Sequence, residues 1–125
     1  KHGRVCMLAA VGYIATDLGL TAPGAPTGVS SAAAHDVAVE KGGMLVLFLA
    51  ASAFEILGGV PKMFQLFSDS VDTPSKPGDY GFDPLKKAND ERMQLTELKN
   101  GRLAMLAFSG MVTQSVLYDK GFPYF

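Results

Sequence analysis

Apolar residues gather in three long stretches, separated by polar segments rich in glycine and proline. The uncharged runs cover residues 5–16, 42–54 and 103–118. Each is apolar nearly all round rather than along one stripe, which leaves little polar surface to face water. The pattern predicts a first helix over about 1–19, fading at Asp17, Gly19 and Pro23. A loop rich in Gly, Pro, Ser and Ala follows to about residue 36. A second helix is predicted over 37–59, ending at Gly58, Gly59 and Pro61. Residues 68–84 contain Pro74, Pro77, Gly78, Gly81 and Pro84 and read as a loop. A third helix is predicted over 89–118, with Asn89 as its cap and Asp90 and Glu91 in its first turn. At about 1.5 Å per residue it reaches about 42 Å, beyond a hydrocarbon core of about 30 Å, so it is expected to tilt or to project.

Run length alone does not place these helices in a membrane, because none of the uncharged runs reaches the usual length of about 18 residues. The loop charges decide the reading. The connection after the second helix carries Lys62, Lys76, Lys86, Lys87 and Arg92, whereas the loop after the first carries Asp17 and Asp36 and no Lys or Arg. Three spans, with the start of the first helix and the second connection on the positive side, obey the positive-inside pattern. The expected fold is therefore an all-α membrane protein of three transmembrane helices.

Residues 1–18 and 99–116 repeat one another, with seven identities in 18 positions: Lys1/Lys99, Gly3/Gly101, Arg4/Arg102, Met7/Met105, Leu8/Leu106, Ala9/Ala107 and Gly12/Gly110. The repeat predicts that helices one and three cross about a pseudo-two-fold axis. Glu97 and Arg102 are five residues apart and point about 140° away from each other, so they do not pair within their helix. A charge in hydrocarbon costs about 2.5–3.5 kcal/mol on insertion scales. Crossed helices let Glu97 meet Arg4, and symmetry then asks for a Glu two positions before Lys1 to meet Arg102. Such a residue lies outside the chain, and with no initiator Met or targeting peptide visible, the chain is expected to be a trimmed piece holding one domain over 1–125. The alternative is a pair of solvated helix starts with no cross-pairing. Small residues at Gly3, Cys6, Ala9 and Gly12, and at Gly101, Ala104, Ala107 and Gly110, let backbones approach. The set drifts by about 60° per step, which suits a crossing rather than a straight seam.

His2, Glu97, Asn100 and Gln114 are the ligand candidates. Each stands alone, with no three or four donors converging, which argues against a protein-only zinc or iron site. Isolated donors suit a metal that already has four ligands and needs one axial partner. Magnesium in a chlorin ring is such a metal, and it accepts carboxylate or amide oxygen as well as imidazole nitrogen. The bland alternative for each residue is a satisfied polar group within the core. A net charge of −1 gives no support to nucleic-acid binding. The single Cys6 rules out an internal disulfide, and it reads as a small buried residue. His35 reads as an ordinary loop or interface residue. No nucleophile–base arrangement or open metal site marks an enzyme, and no row of polar residues marks the pathway of a transporter.

The segment Glu97-Leu98-Lys99-Asn100-Gly101-Arg102-Leu103-Ala104-Met105 resembles the signature of the light-harvesting chlorophyll-binding antenna family. Lys1-His2-Gly3-Arg4 is similar to that family's first membrane helix without its leading Glu, and Gly78-Asp79-Tyr80-Gly81-Phe82-Asp83-Pro84-Leu85 to its loop before the third helix. The short connections and the ending Gly121-Phe122-Pro123-Tyr124-Phe125 resemble the chlorophyll a/c antennae of algae, of fucoxanthin or peridinin type. The resemblance implies a non-enzymatic, multi-pass protein of the chloroplast thylakoid. It would bind chlorophyll a, chlorophyll c and a xanthophyll such as fucoxanthin, and pass excitation energy to a photosystem core, with photosystem I favoured. Neighbouring antenna subunits and thylakoid lipids would be its other partners. A photoprotective, energy-dissipating relative is the alternative. The resemblance also implies that Glu97, paired with Arg4, ligates one chlorophyll magnesium, and that His2, Glu55, Asn100 and Gln114 each ligate another. Tyr80, Phe82 and Pro84 would meet carotenoid end groups, with ordinary turn packing as the alternative. Two departures stand out. Leu47 replaces a polar residue two turns before Glu55, and Gly58 and Gly59 stand where an Arg commonly follows that Glu. Glu55 is therefore expected to rely on its metal or on Lys62 for charge compensation, or else to snorkel near a helix end.

Overall fold

The computed structural model describes residues 1–67 and 78–124, and the regular structure in them is helical. Part of the expected 68–84 loop, with Pro74, Lys76 and Pro77, lies outside the described residues. Helix α1 spans His2–Asp17, within the predicted first helix.

The predicted second helix divides. A separate helix α2, Ser31–Glu40, occupies the end of the expected loop. Ser30 caps it by accepting the Ala33 N–H at 3.3 Å, and the alanine run behind it carries high helix propensity. Gly42 then breaks the chain with φ of 74°, a left-handed conformation that glycine adopts without strain. Helix α3 begins beyond it at Gly43–Phe54, not at residue 37. Nor does the helix end at Gly58, Gly59 and Pro61. It widens into a π turn at Glu55–Gly59 and continues as α4, Val60–Phe67. Pro61 has no N–H to close an α-helical ladder. The wider turn just before it, where the Val60 N–H reaches the Glu55 carbonyl, lets the chain pass the proline without stopping.

Helix α5 spans Glu91–Tyr118, 28 residues, close to the predicted third helix. Its cap is Asp90, which accepts the Arg92 N–H at 2.9 Å, not Asn89. Asp119 ends it in the left-handed region at φ 49°.

Helices α1 and α5 pack backbone to backbone at Gly3 and Gly101. A Cβ built on Gly3 would stand 2.9 Å from the Gly101 Cα, so the approach exists only because both positions lack a side chain. Gly101 and Ala104 are buried there, but Cys6 is half-buried rather than buried. Gly12 and Gly110 face open space. The close backbone approach thus uses the small-residue stripe at its Gly3 and Gly101 end. The two helices run in the same direction, and further along Tyr13 meets Phe108 edge-on, centroids 5.9 Å apart. Tyr124 packs beside Tyr13 at 5.8 Å. Asp17 ties this end together by accepting the Ser31 N–H at 2.8 Å and the Phe122 N–H at 3.2 Å.

The α3–α4 helix makes no close backbone approach to α1 or α5 among the described residues. Leu45, Val46, Leu47, Phe48 and Leu49 are 58–67% exposed. Five consecutive exposed apolar residues on a helix mean that it is bare all round. The whole chain exposes 9924 Å², against about 6,400 Å² expected for a soluble protein of its 13.2 kDa. Exposed apolar side chains such as Leu45–Leu49 contribute to that surface and mark it as one for a partner, a ligand or a membrane. Among the described residues one helix, Gly43–Gln65, is long and apolar enough to cross a membrane. Helix α1 has 16 residues, and α5 carries Glu91, Arg92, Glu97, Lys99 and Arg102 before its uncharged run begins.

Candidate functional site

The charged starts of α1 and α5 meet where the two glycines touch. Arg4 engages Glu97 with both arms of its guanidinium: Nε donates to Oε1, and Nη2 donates to Oε2 at 3.1 Å. Bidentate pairing of this kind fixes geometry as well as charge. The cross-pairing expected from the repeat is therefore present. Arg4 makes a third hydrogen bond with no signature in the sequence, Nη1 donating to the Gly78 carbonyl at 2.7 Å. That bond brings the end of the second connection to the start of α1, as the charge sorting required. Arg102 has no ion pair among the described residues.

An open cavity of about 1210 Å³ lies over this junction, bounded by His2, Arg4, Glu97, Arg102, Tyr80 and Phe82 among others. Of the ligand candidates, it brings together His2 and Glu97. The segment from Asp83 to Ala88 is folded onto the Asp83 carboxylate, which accepts the Lys87 N–H at 3.1 Å and the Ala88 N–H at 2.6 Å. Those two N–H groups hold the Asp83 carboxyl below its ordinary pKa. Phe82 is 88% exposed.

Asn100 is one helical turn beyond Glu97, and Gln114 lies about 21 Å further along α5; both are exposed. Glu55 sits at the first position of the π turn and is also exposed. Its cationic partner is Lys1, not Lys62. The Lys1 Nζ lies 2.5 Å from Glu55 Oε2. Fifty-four residues separate the two, so no local spacing could have announced the pair. Among the described residues, no three His, Cys, Asp or Glu side chains converge as a metal cluster. His35 is on the surface beside Asp36, at 3.1 Å.

At the opposite end, Asp17, Thr16 and Gly121 help to line a smaller hollow of about 290 Å³. Burial, and after it the adjacent Asp17 carboxylate, push the Tyr124 phenol above its ordinary range.

A family model described as chlorophyll A-B binding protein matches residues 1–116. The chain belongs to the chlorophyll a-b binding family. Within that family it is 32% identical, over 93% of its length, to light-harvesting complex stress-related protein 3.2 of Chlamydomonas reinhardtii, covering 49% of that protein. It is 34% identical over 97% of its length to a fucoxanthin-chlorophyll a-c binding protein of Chattonella marina var. antiqua, covering 56% of it. Against the chlorophyll a-b binding protein CP29 of Chlamydomonas reinhardtii the identity is 30% over 96% of the chain and 44% of CP29. The chain spans about half the length of the curated relatives it matches.

Proposed function

We propose that this chain is a light-harvesting antenna protein that binds chlorophylls and carotenoids and passes excitation energy to a photosystem core, photosystem I before photosystem II. Helix α1, the α3–α4 helix and α5 form three membrane spans, with α1 and α5 crossing at Gly3 and Gly101. The membrane is the chloroplast thylakoid, with lipids and neighbouring antenna subunits as further partners. The pigments are chlorophyll a, chlorophyll c and a xanthophyll of the fucoxanthin kind. The observation that carries this reading is the Arg4–Glu97 pair at the mouth of the cavity. It neutralises a carboxylate that still has lone pairs to give to a metal.

The residues fit a chlorin better than a bare ion. Donors stand singly at His2, Glu55, Glu97, Asn100 and Gln114, each suited to one axial bond, and broad apolar faces lie beside them. When bound, the chlorophyll rings supply light absorption and an excited state that moves from ring to ring. The chain's own work is to fix donor positions, neutralise charge and exclude water. Arg4 holds the Glu97 carboxylate in one orientation. Gly3 and Gly101 set the spacing of α1 and α5. Tyr80, Phe82 and Pro84 offer apolar edges to a carotenoid end group. No step of bond chemistry is required of any side chain, so the function is non-enzymatic. Purifying the native complex and extracting its pigments tests the proposal: chlorophyll and xanthophyll in fixed proportion are expected, and a pigment-free complex overturns it.

A photoprotective role is the second reading, favoured by the similarity to stress-related relatives. Its donor set is the same. A short fluorescence lifetime in the isolated pigmented protein selects it over harvesting.

A further inference from the structure

Glu55 is a carboxylate in the middle of the most apolar helix of the chain. Residues 43–65 contain just one other ionisable acid or base of the Asp, Glu, Lys and Arg kind, Lys62, seven positions later. The neighbours one turn on, Gly58 and Gly59, carry no side chain with which to answer it. The cation instead comes from another helix: Lys1 reaches across and places Nζ 2.5 Å from Oε2.

Gly59 leaves room for that pair beside the helix. A Cβ at Gly59 would stand 2.6 Å from Glu55 Oε2 and 3.2 Å from Lys1 Nζ. A side chain there would make the ends of Glu55 and Lys1 shift. Gly58 is different, since nothing lies within 4 Å of a Cβ at that position. The π turn places Glu55 and Gly59 in one widened turn, so the carboxylate folds back over the glycine. Among the described residues this pair is the one polar tie between the α3–α4 helix and α1. Only Oε2 is engaged, and Oε1 has no partner among the described residues.

We infer that Lys1 is the positioning cation of Glu55: it neutralises and orients the carboxylate from a neighbouring helix, leaving Oε1 to ligate a chlorophyll magnesium. This rests on the reading of Glu55 as an axial ligand. Lys1 acts through charge and orientation, in place of a cation on the helix of Glu55.

The test is reconstitution of the full chain with chlorophyll and xanthophyll extract in detergent, reading chlorophyll per protein and the visible circular dichroism. Glu55→Leu should lose one chlorophyll and its spectral component. Lys1→Met should lose the same component, and Lys1→Arg should keep it. The deciding variant is Lys1→Met with Glu55→Gln. A glutamine oxygen ligates magnesium without charge and needs no cation, so the double variant should regain the pigment that Lys1→Met loses. A purely structural role for Lys1 gives no such recovery. Gly58→Arg in the Lys1→Met background should also restore the component, because there is room for a cation on the same helix. If Glu55→Leu loses a chlorophyll and Lys1→Met keeps it, the positioning role is refuted and the ligand assignment stands. If Glu55→Leu keeps every chlorophyll, the ligand assignment fails and the positioning role fails with it. If the double variant stays depleted, charge compensation is refuted.

Discussion

Replacing Arg4 with leucine isolates the part played by the cross-pair. The substitution removes two hydrogen bonds to Glu97 and one to the Gly78 carbonyl. It keeps an apolar side chain of fair size on α1. The magnitude depends on what covers the site. In the chain alone the Arg4 and Glu97 side chains are 49% and 43% exposed, and a water-screened pair of that kind is worth about 0.2–1 kcal/mol. With lipid and pigment over the cavity, the same deletion strands a carboxylate in a dry site, at about 3–5 kcal/mol. The pigmented protein should therefore lose its Glu97 chlorophyll and melt lower by on the order of 10 °C, while the pigment-free chain changes little. Arg4→Lys keeps the charge and loses the fork, so it should fall between the two. The assay is pigment extraction per protein, with thermal melting followed by visible circular dichroism. An Arg4→Leu protein with a full chlorophyll complement and an unchanged melting temperature refutes the cross-pair as the support of Glu97.

The glycine contact makes a paired prediction. Gly3→Ala forces a methyl against the Gly101 Cα, where only backbone can yield, and should destabilise by about 1–3 kcal/mol; Gly12→Ala meets open space and should be neutral or stabilise by up to about 1 kcal/mol, both read by thermal melting. The Asp83 carboxyl titrates below its ordinary value in the folded chain, so its support is present above the unfolded pKa of about 3.9 and is lost as pH falls through the lower folded value. Amide exchange at Lys87 and Ala88, corrected for intrinsic rates, should accelerate over that acid window, and Asp83→Asn should abolish the pH dependence. Labels on α3 and α5 should give a narrow distance distribution in the pigmented protein and a broad one without pigment; equal widths would show that the protein alone positions the α3–α4 helix.

The repeat and the periodicity made α1, α5 and the Arg4–Glu97 pair legible, because each rests on a local pattern written twice. In the middle of the chain, glycine and proline do not by themselves mark the helix ends. Gly58, Gly59 and Pro61 together read as a stop, yet a π turn absorbs the missing N–H of Pro61 and the helix runs to Phe67. Conversely, the single Gly42 divides what reads as one helix, because its left-handed φ ends α2. The alanines of 32–34 lie in a segment rich in Gly, Pro and Ser, which masks their helix propensity. The Lys1–Glu55 pair and the reach of Asp17 to Phe122 have no sequence signature. They arise from the return of distant helix ends to one place, which no spacing along the chain encodes.

The two carboxylates Glu97 and Glu55 are supported differently, and the packing explains why. Helices α1 and α5 share a true protein contact at Gly3 and Gly101, so the Glu97 carboxylate finds Arg4 within arm's reach of a close backbone approach. Glu55 belongs to a helix that stays away from that pair and exposes apolar residues on every side. A short side chain could not answer it across such a gap, whereas lysine, with four methylenes and a compact charge, can. The buried interior of the described residues is correspondingly small, Gly101, Ala104, Ser115 and Tyr124. A fold of this kind cannot draw its rigidity from side-chain packing alone. In the proposed function the pigments supply the packed interior between α3 and the α1–α5 pair, and the ion pairs set where the donors stand before that interior closes. Antenna sites and fold stability then share the same contacts, and a substitution at Arg4, Gly59 or Lys1 acts on both at once.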